Sequence, residues 1–181
     1  MNSVNEHEIY RRKLKEEHFK IETLANHIKS TQWIEEYIKE AENLNHSQAK
    51  LLFESLNDMT EKYFFEIVEE NGVVHFYIID KSFESICNFF VAGNGSNRIT
   101  KELINKYNLV IEIKALHSYE KNKGKDIVNS IKEVSHCANI PISLFDTNNK
   151  DINYYSNLGF VNKGKKGIHG EVLFIYEPKG K

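Results

Sequence analysis

The sequence predicts an α/β (α+β) fold: a mixed, mostly antiparallel central sheet flanked by helices, with a helical section at the N-terminus. Three observations predict it. Apolar residues recur every three or four positions from about residue 5 to residue 57. Aromatic and β-branched residues dominate the next thirty positions, where Asn71-Gly72 is typical of a hairpin. From residue 108 onward, strand-like and helix-like segments alternate.

Length and composition indicate one core. The chain has 181 residues, of which 40% are hydrophobic and 12% aromatic, so a single core can be buried. We therefore expect a helical N-terminal section over residues 1–58 and one sheet domain over residues 59–181.

Charge and cysteine content narrow the function classes. The net charge of -2 offers no overall field for a phosphate backbone, so no nucleic-acid partner is expected. No apolar run approaches the ~20 residues that span a membrane, and no membrane association is expected. Cys87 and Cys137 suit neither a disulfide framework nor a metal site. We expect a cytoplasmic protein without a bound metal.

Polar residues predict where the N-terminal helices start. Ser30-Thr31 is expected to cap a new helix near Gln32, and Ser47 a further helix through Leu56. The section carries no catalytic motif.

The remaining elements follow from local patterns. Strands are predicted at residues 63–69, 73–80, 85–92, 109–116, 142–145, 160–163 and 172–177. Helices are predicted at 100–107, capped by Thr100, at 125–138 and at 150–158.

A basic loop with one glycine joins the strand ending near Leu116 to the next helix. It carries Lys121, Lys123 and Lys125 around Gly124. Such a junction presents unpaired backbone N–H groups and the positive end of a helix dipole. It therefore predicts an anion site suited to phosphate or pyrophosphate.

A second motif follows the loop in the chain. Asn148 precedes the run Tyr155-Ser156-Asn157-Leu158-Gly159-Phe160. With Lys121-x-x-Gly124-x-Asp126, this order resembles the GCN5-related N-acetyltransferase (GNAT) family. That family has a coenzyme A loop Arg/Gln-x-x-Gly-x-Gly/Ala and a later Asn, six residues, then Tyr-x-x-Leu-Gly-Phe. The resemblance covers residues 63–177 and is strongest over 109–160.

The resemblance implies a GNAT-like acyl-coenzyme A site. The pantetheine arm would lie between the fourth and fifth strands of the family's fold, with Asn148 bonded to it. The backbone at Leu116 would polarise the acyl carbonyl. Lys121 and the loop amides would hold the pyrophosphate, and the implied amides belong to Asn122, Lys123, Gly124, Lys125 and Asp126.

Two side chains are implied as catalytic. Tyr155 would protonate the departing thiolate, although it can also be a packed aromatic beside Tyr154. Glu112 would take a proton from the attacking ammonium, directly or through water. A strand carboxylate paired with Lys114 is the alternative for Glu112. His117, next to Leu116, is a candidate auxiliary base. We prefer the interpretation that it is an exposed histidine of the loop.

Asp126 departs from the family pattern, which has Gly or Ala there. A carboxylate beside a pyrophosphate is an electrostatic conflict. Asp is nonetheless favoured in the first turn of a helix, where it can cap the helix and turn away.

The resemblance implies an N-acetyltransferase that uses acetyl-CoA as co-substrate and a primary amine, in a small molecule or peptide, as acceptor. The alternative is a catalytically degenerate GNAT-fold module that binds or regulates through its N-terminal helices. The sequence is compatible with a homodimer.

Overall fold

The computed structural model describes residues 17–147 and 153–179. Five helices are α1 (Glu17–Asn43), α2 (Ser47–Thr60), α3 (Arg98–Tyr107), α4 (Lys123–Ala138) and α5 (Tyr154–Asn157). Seven strands are β1 (Tyr63–Glu70), β2 (Val73–Asp80), β3 (Ser85–Ala92), β4 (Val110–Ser118), β5 (Ile142–Asp146), β6 (Val161–Lys165) and β7 (Val172–Tyr176).

The strands form one sheet in the order β1-β2-β3-β4-β5-β7-β6. Neighbouring strands run antiparallel except β4 and β5, which are parallel because α4 crosses over between them. The predicted fold class, a mixed and mostly antiparallel sheet flanked by helices, is confirmed.

Helices cover both faces of the sheet. The main core joins α1, α2 and α4 to one face through residues such as Ile34, Leu56, Phe89 and Ile127, all fully buried. On the other face, Leu103 and Tyr107 of α3 pack against β4 and β7. We call these the α4 face and the α3 face.

Side chains of α1 cover the outer edge of β1. The His27 Nδ1 accepts a hydrogen bond from the Phe65 amide, and the Ser30 hydroxyl accepts one from the Ile67 amide, each at 3.0 Å. The edge strand is thereby shielded from pairing with another chain. The predicted helix start at Ser30-Thr31 is wrong, since α1 runs through both residues and the buried Ser30 hydroxyl serves this contact.

Three other helix starts differ from expectation by one to three residues, and one of them is α4, which begins at Lys123 instead of residue 125. The α2 cap is His46 rather than Ser47, and its ring accepts from the Ala49 amide. The α3 cap is Asn97, which forms a reciprocal capping box with Thr100. Thr100 therefore lies inside the helix. The start of the helix predicted at 150–158 lies outside the described residues.

No helix in the described part of the chain is long and apolar enough to cross a membrane.

Candidate active site

The parallel strands β4 and β5 separate partway along their length. They pair only from Ile111 to Ile113 on β4 and from Ile142 to Leu144 on β5. Strand β4 continues to Ser118 and stays paired with β3, whereas β5 ends at Asp146. The carboxyl ends of the two parallel strands therefore diverge, which is where open α/β sheets bind ligands.

A β-bulge in β4 lies next to this split. Asn88 of β3 pairs with Ala115 and Phe89 with Ile113, so Lys114 is an extra residue. The extra residue shifts the alternation of side chains by one position. Leu116 consequently packs against the main core on the α4 face, the same face as Ile113.

A cavity of about 500 Å³ opens on the α4 face at the end of β4. It brings together six of the residues predicted for the site, namely Leu116, Lys121, Asn122, Gly124, Lys125 and Tyr155, and adds Ser118, Glu120 and Tyr154. We call it the loop cavity. The three added residues were not identified from the sequence, because Ser118 and Glu120 depend on the bulge and on the loop conformation, and Tyr154 depends on where α5 packs.

The loop between β4 and α4 is held by backbone bonds and by Ser118. Asn122 adopts a left-handed conformation with φ of 72° just before the helix. The Ser118 hydroxyl accepts from the Gly124 amide at 3.1 Å and donates to the Glu120 carbonyl at 2.8 Å. A side chain at Gly124 would meet the Ser118 Cβ at 3.0 Å and the Tyr154 hydroxyl at 3.4 Å. The close approach of loop and strand thus favours glycine.

Some charged residues of the loop line the cavity, and others point away from it. Lys121 and Lys125 are exposed and line the cavity together with Glu120. The Lys123 ammonium lies 3.9 Å from the buried Asp80 carboxylate and is not in the lining. Asp126 is also outside the lining; it is exposed, and its charge contributes to raising the pKa of Tyr63, which burial raises most.

Tyr155 stands at the far wall of the loop cavity. Its ring packs against Tyr154, Phe160 and Phe174 at centroid distances of 5.0, 5.9 and 5.5 Å. Burial raises the pKa of Tyr155, and the Asp146 carboxylate raises it further. The phenol therefore keeps its proton at neutral pH. It is both a packed aromatic and a cavity-lining acid.

Glu112 lines a different cavity, on the α3 face. It pairs with Phe90 of β3 and Ser143 of β5. This second cavity measures about 420 Å³ and is bordered by the β6–β7 loop, so we call it the hairpin cavity. Burial raises the pKa of Glu112, and the neighbouring Lys114 ammonium lowers it by less. No ion pair joins Glu112 to Lys114 among the described residues, and the Lys114 ammonium lies 5.0 Å from the centroid of the Phe90 ring.

Asn148 and His117 are the remaining residues with a role considered from the sequence. Asn148 lies outside the described residues. His117 is half-buried in β4 opposite Ile86, so the expected exposed loop position is wrong. Strand β4 ends at Ser118, two residues later than predicted, and therefore includes His117.

The two cavities flank the same split from opposite faces. Ile113 and Leu144, the last paired residues of β4 and β5, line the hairpin cavity. Leu116 lines the loop cavity three residues further along β4, a distance of about 10 Å in an extended strand. A ligand entering between the diverging strands from the α4 face can thus be approached from the α3 face.

No family model matches the chain, and no curated protein matches it either. Solved structures similar to this chain include the following two. One is described as a histone acetyltransferase HPA2 and related acetyltransferase from Corynebacterium glutamicum, with 13% identity, 77% of this chain and 78% of that chain covered, and a TM-score of 0.41. The other is the Bacillus subtilis N-acetyltransferase YlbP in complex with coenzyme A, with 14% identity, 57% and 67% covered, and a TM-score of 0.41. Likeness at this level carries no activity over to the chain.

Proposed function

We propose that the protein is a GNAT-type N-acetyltransferase that moves an acetyl group from acetyl-CoA to a primary amine. The observation that carries the proposal is the meeting of Leu116, the loop around Gly124 and Tyr155 in one cavity beside the β4–β5 split. Tyr155 is far from Leu116 and Gly124 in sequence, and all three are residues that the family resemblance implies.

The loop cavity suits the pyrophosphate and pantetheine parts of coenzyme A. Lys121 and Lys125 supply positive charge at the start of α4, where the helix dipole also favours an anion. Gly124 lets the backbone come close, since any side chain there would press on Ser118. The β4 edge beyond Ile113 is unpaired by β5 and can bond an amide-containing arm.

Transfer needs a proton acceptor at the amine and a proton donor at the thiol. Glu112, on the α3 face, would accept a proton from the ammonium, directly or through water, which exposes the nitrogen lone pair. The N–C bond forms as the C–S bond breaks, and Tyr155 gives its proton to the thiolate. The nitrogen then loses its second proton and Tyr155 is reprotonated. The sum is one amide, one thiol and one proton released.

A catalytically inactive binding module is the second candidate. Two observations favour it: the Ser118 hydroxyl already occupies the Gly124 amide, and Glu120 adds a carboxylate to the cavity. Both features oppose an incoming pyrophosphate.

Calorimetric titration with acetyl-CoA tests the proposal, and a mass-spectrometric screen of amines follows it. We expect binding at micromolar concentration that weakens when Lys121 and Lys125 are both changed to Gln. The matched control is Lys39→Gln with Lys101→Gln, two exposed lysines outside the cavity. Binding without turnover of any amine would favour the inactive module, and absence of binding would refute the enzyme.

We also propose a cytoplasmic location. Both cysteines are free, Cys87 buried and Cys137 exposed, which suits a reducing compartment.

A further inference from the structure

The hairpin cavity has a carboxylate on its floor. Glu112 is half-buried between Phe90 and Ser143 on the α3 face of the sheet. Of the two carboxylates that line the cavity, Glu171 already holds its own loop, where it accepts the His169 amide at 2.9 Å. Hydrogen bonds from its own backbone amide and from the His169 amide lower the pKa of Glu171. Glu112 is therefore the carboxylate that can receive an ammonium.

Two lysines lie at the rim of the cavity. Lys114 from the bulge and Lys166 from the β6–β7 loop both line it and are exposed. The lining thus has two carboxylates and two ammonium groups, with no excess of negative charge. A polycation such as a polyamine would meet both lysines, and like charges across a site cost binding energy.

Apolar side chains complete the wall. Phe145 is 37% exposed at the end of β5, and Ile168 is 97% exposed at the tip of the β6–β7 loop. Both border the cavity and would be covered by an apolar group of a ligand. The volume of about 420 Å³ lies near the lower end of the usual range for ligand pockets, about 300–1,000 Å³.

We propose that the acceptor is a free α-amino acid with an apolar side chain. Its ammonium lies at Glu112, its carboxylate at Lys114 and Lys166, and its side chain against Phe145 and Ile168. This inference rests on the proposed function, because it names the amine that the transfer consumes. Its nitrogen gives one proton to Glu112, bonds to the acetyl carbon and then loses a second proton. The product is an N-acetyl amino acid.

Matched acceptors test the inference on the full chain with acetyl-CoA. The set is L-phenylalanine, phenethylamine, which lacks the carboxylate, L-phenylalaninamide, which mimics a peptide N-terminus, and spermidine. We expect kcat/KM for phenylalanine to exceed that of each other amine by about tenfold or more, as loss of a charge-assisted contact predicts. Any of the other three acting as well as phenylalanine would overturn the inference.

A charge-removal variant locates the carboxylate contact. In Lys114→Met with Lys166→Met, the preference for phenylalanine over phenethylamine should fall below about threefold. Lys101→Met, an exposed lysine of α3 outside the cavity, should keep the preference. A preference that survives the double change contradicts the assignment of the two lysines.

Failure of this inference and failure of the proposed function are separable. Calorimetry with acetyl-CoA reports on the function alone. Amide NMR shifts of residues 166–171, titrated with phenylalanine or phenethylamine, report on the amino-acid site even without turnover. Shifts that phenylalanine causes and phenethylamine does not would support the amino-acid site, whatever the calorimetry with acetyl-CoA shows. If acetyl-CoA binds and phenylalanine gives neither shifts nor product, this inference alone is wrong.

Discussion

The Ser118 hydroxyl and the Gly124 amide, 3.1 Å apart, join the end of β4 to the first turn of α4. The same hydroxyl also accepts from Ser85 at 2.9 Å and donates to the Glu120 carbonyl, so its hydrogen-bonding capacity is filled. The bond fixes how close the loop comes to the strand.

Gly124→Ala should weaken acetyl-CoA binding about tenfold, which corresponds to about 1.4 kcal/mol. The added Cβ would lie 3.0 Å from the Ser118 Cβ, so the loop and the strand would have to move slightly apart and the pyrophosphate site would shift with them. Gly93→Ala is the matched control, since its Cβ would meet nothing closer than 4.0 Å. Calorimetry measures both, and equal affinity for Gly124→Ala and the parent protein would contradict the role of the close approach.

Tyr155→Phe should lower kcat about 10- to 100-fold with little change in acetyl-CoA affinity, because only the proton donor is removed. Tyr154→Phe changes a second phenol of the same cavity and should have a smaller effect. Steady-state kinetics with calorimetry separate the two effects. If kcat is unchanged in Tyr155→Phe, Tyr155 is only a packed aromatic.

Asp126→Asn should change acetyl-CoA affinity by less than about threefold, since an exposed charge outside the cavity is screened by solvent. The substitution removes the charge while keeping the size of the side chain. A much tighter complex would show that the carboxylate does reach the pyrophosphate.

Glu112→Gln should lower kcat/KM about 100-fold and also stabilise the fold at neutral pH. Burial raises the pKa of Glu112, so the folded state resists its ionisation. The parent protein then loses stability as pH rises through the folded pKa, above the ordinary value of 4.5. The Tm gain of Glu112→Gln should therefore grow from pH 4 to pH 7.

Glu66→Gln is the control for that experiment. Burial also raises the pKa of Glu66, which lies on β1 and accepts from Asn26, far from both cavities in the sheet. It should show the same stability trend with unchanged activity. A loss of activity in Glu66→Gln would mean that the assay reports on stability instead of catalysis.

Ser30→Ala should cost about 1–3 kcal/mol in the free energy of unfolding, because the Ile67 amide loses its buried acceptor. Ser47→Ala, at an exposed position once expected to cap α2, should stay within about 0.5 kcal/mol. Urea unfolding compares the two. A similar small effect in both would remove Ser30 from the contact between α1 and the edge strand.

The fold was largely predictable because its signals are local. The hairpin at Asn71-Gly72 and the boundaries of β2 and β3 follow from turn chemistry and strand composition. The helix start at Ser30 was wrongly predicted because a serine on a helix can accept a hydrogen bond from a distant strand as readily as it caps a new helix. Sequence spacing cannot distinguish these uses.

For the candidate site, the sequence indicated which residues to consider but not the face of the sheet on which each one lies. The motifs selected residues that do meet in one cavity, yet Glu112 and Tyr155 line opposite faces, and Ser118 and Glu120 were missed. Strict alternation would put Glu112 and Leu116 on the same face, and the bulge at Lys114 separates them.

That bulge makes Lys114 an extra residue that the pairing of β4 with β3 does not use. Replacing Lys114 keeps the count of residues, so Leu116 and Ser118 stay toward α4. Deleting it would remove only the extra residue: Ala115 would follow Ile113 in plain alternation, so Leu116 and Ser118 would stay toward α4 and His117 toward α3. The strand can therefore lose this residue without exchanging the side chains of the two cavities, whereas closing the bulge with Lys114 retained would turn every side chain after Lys114 to the other face.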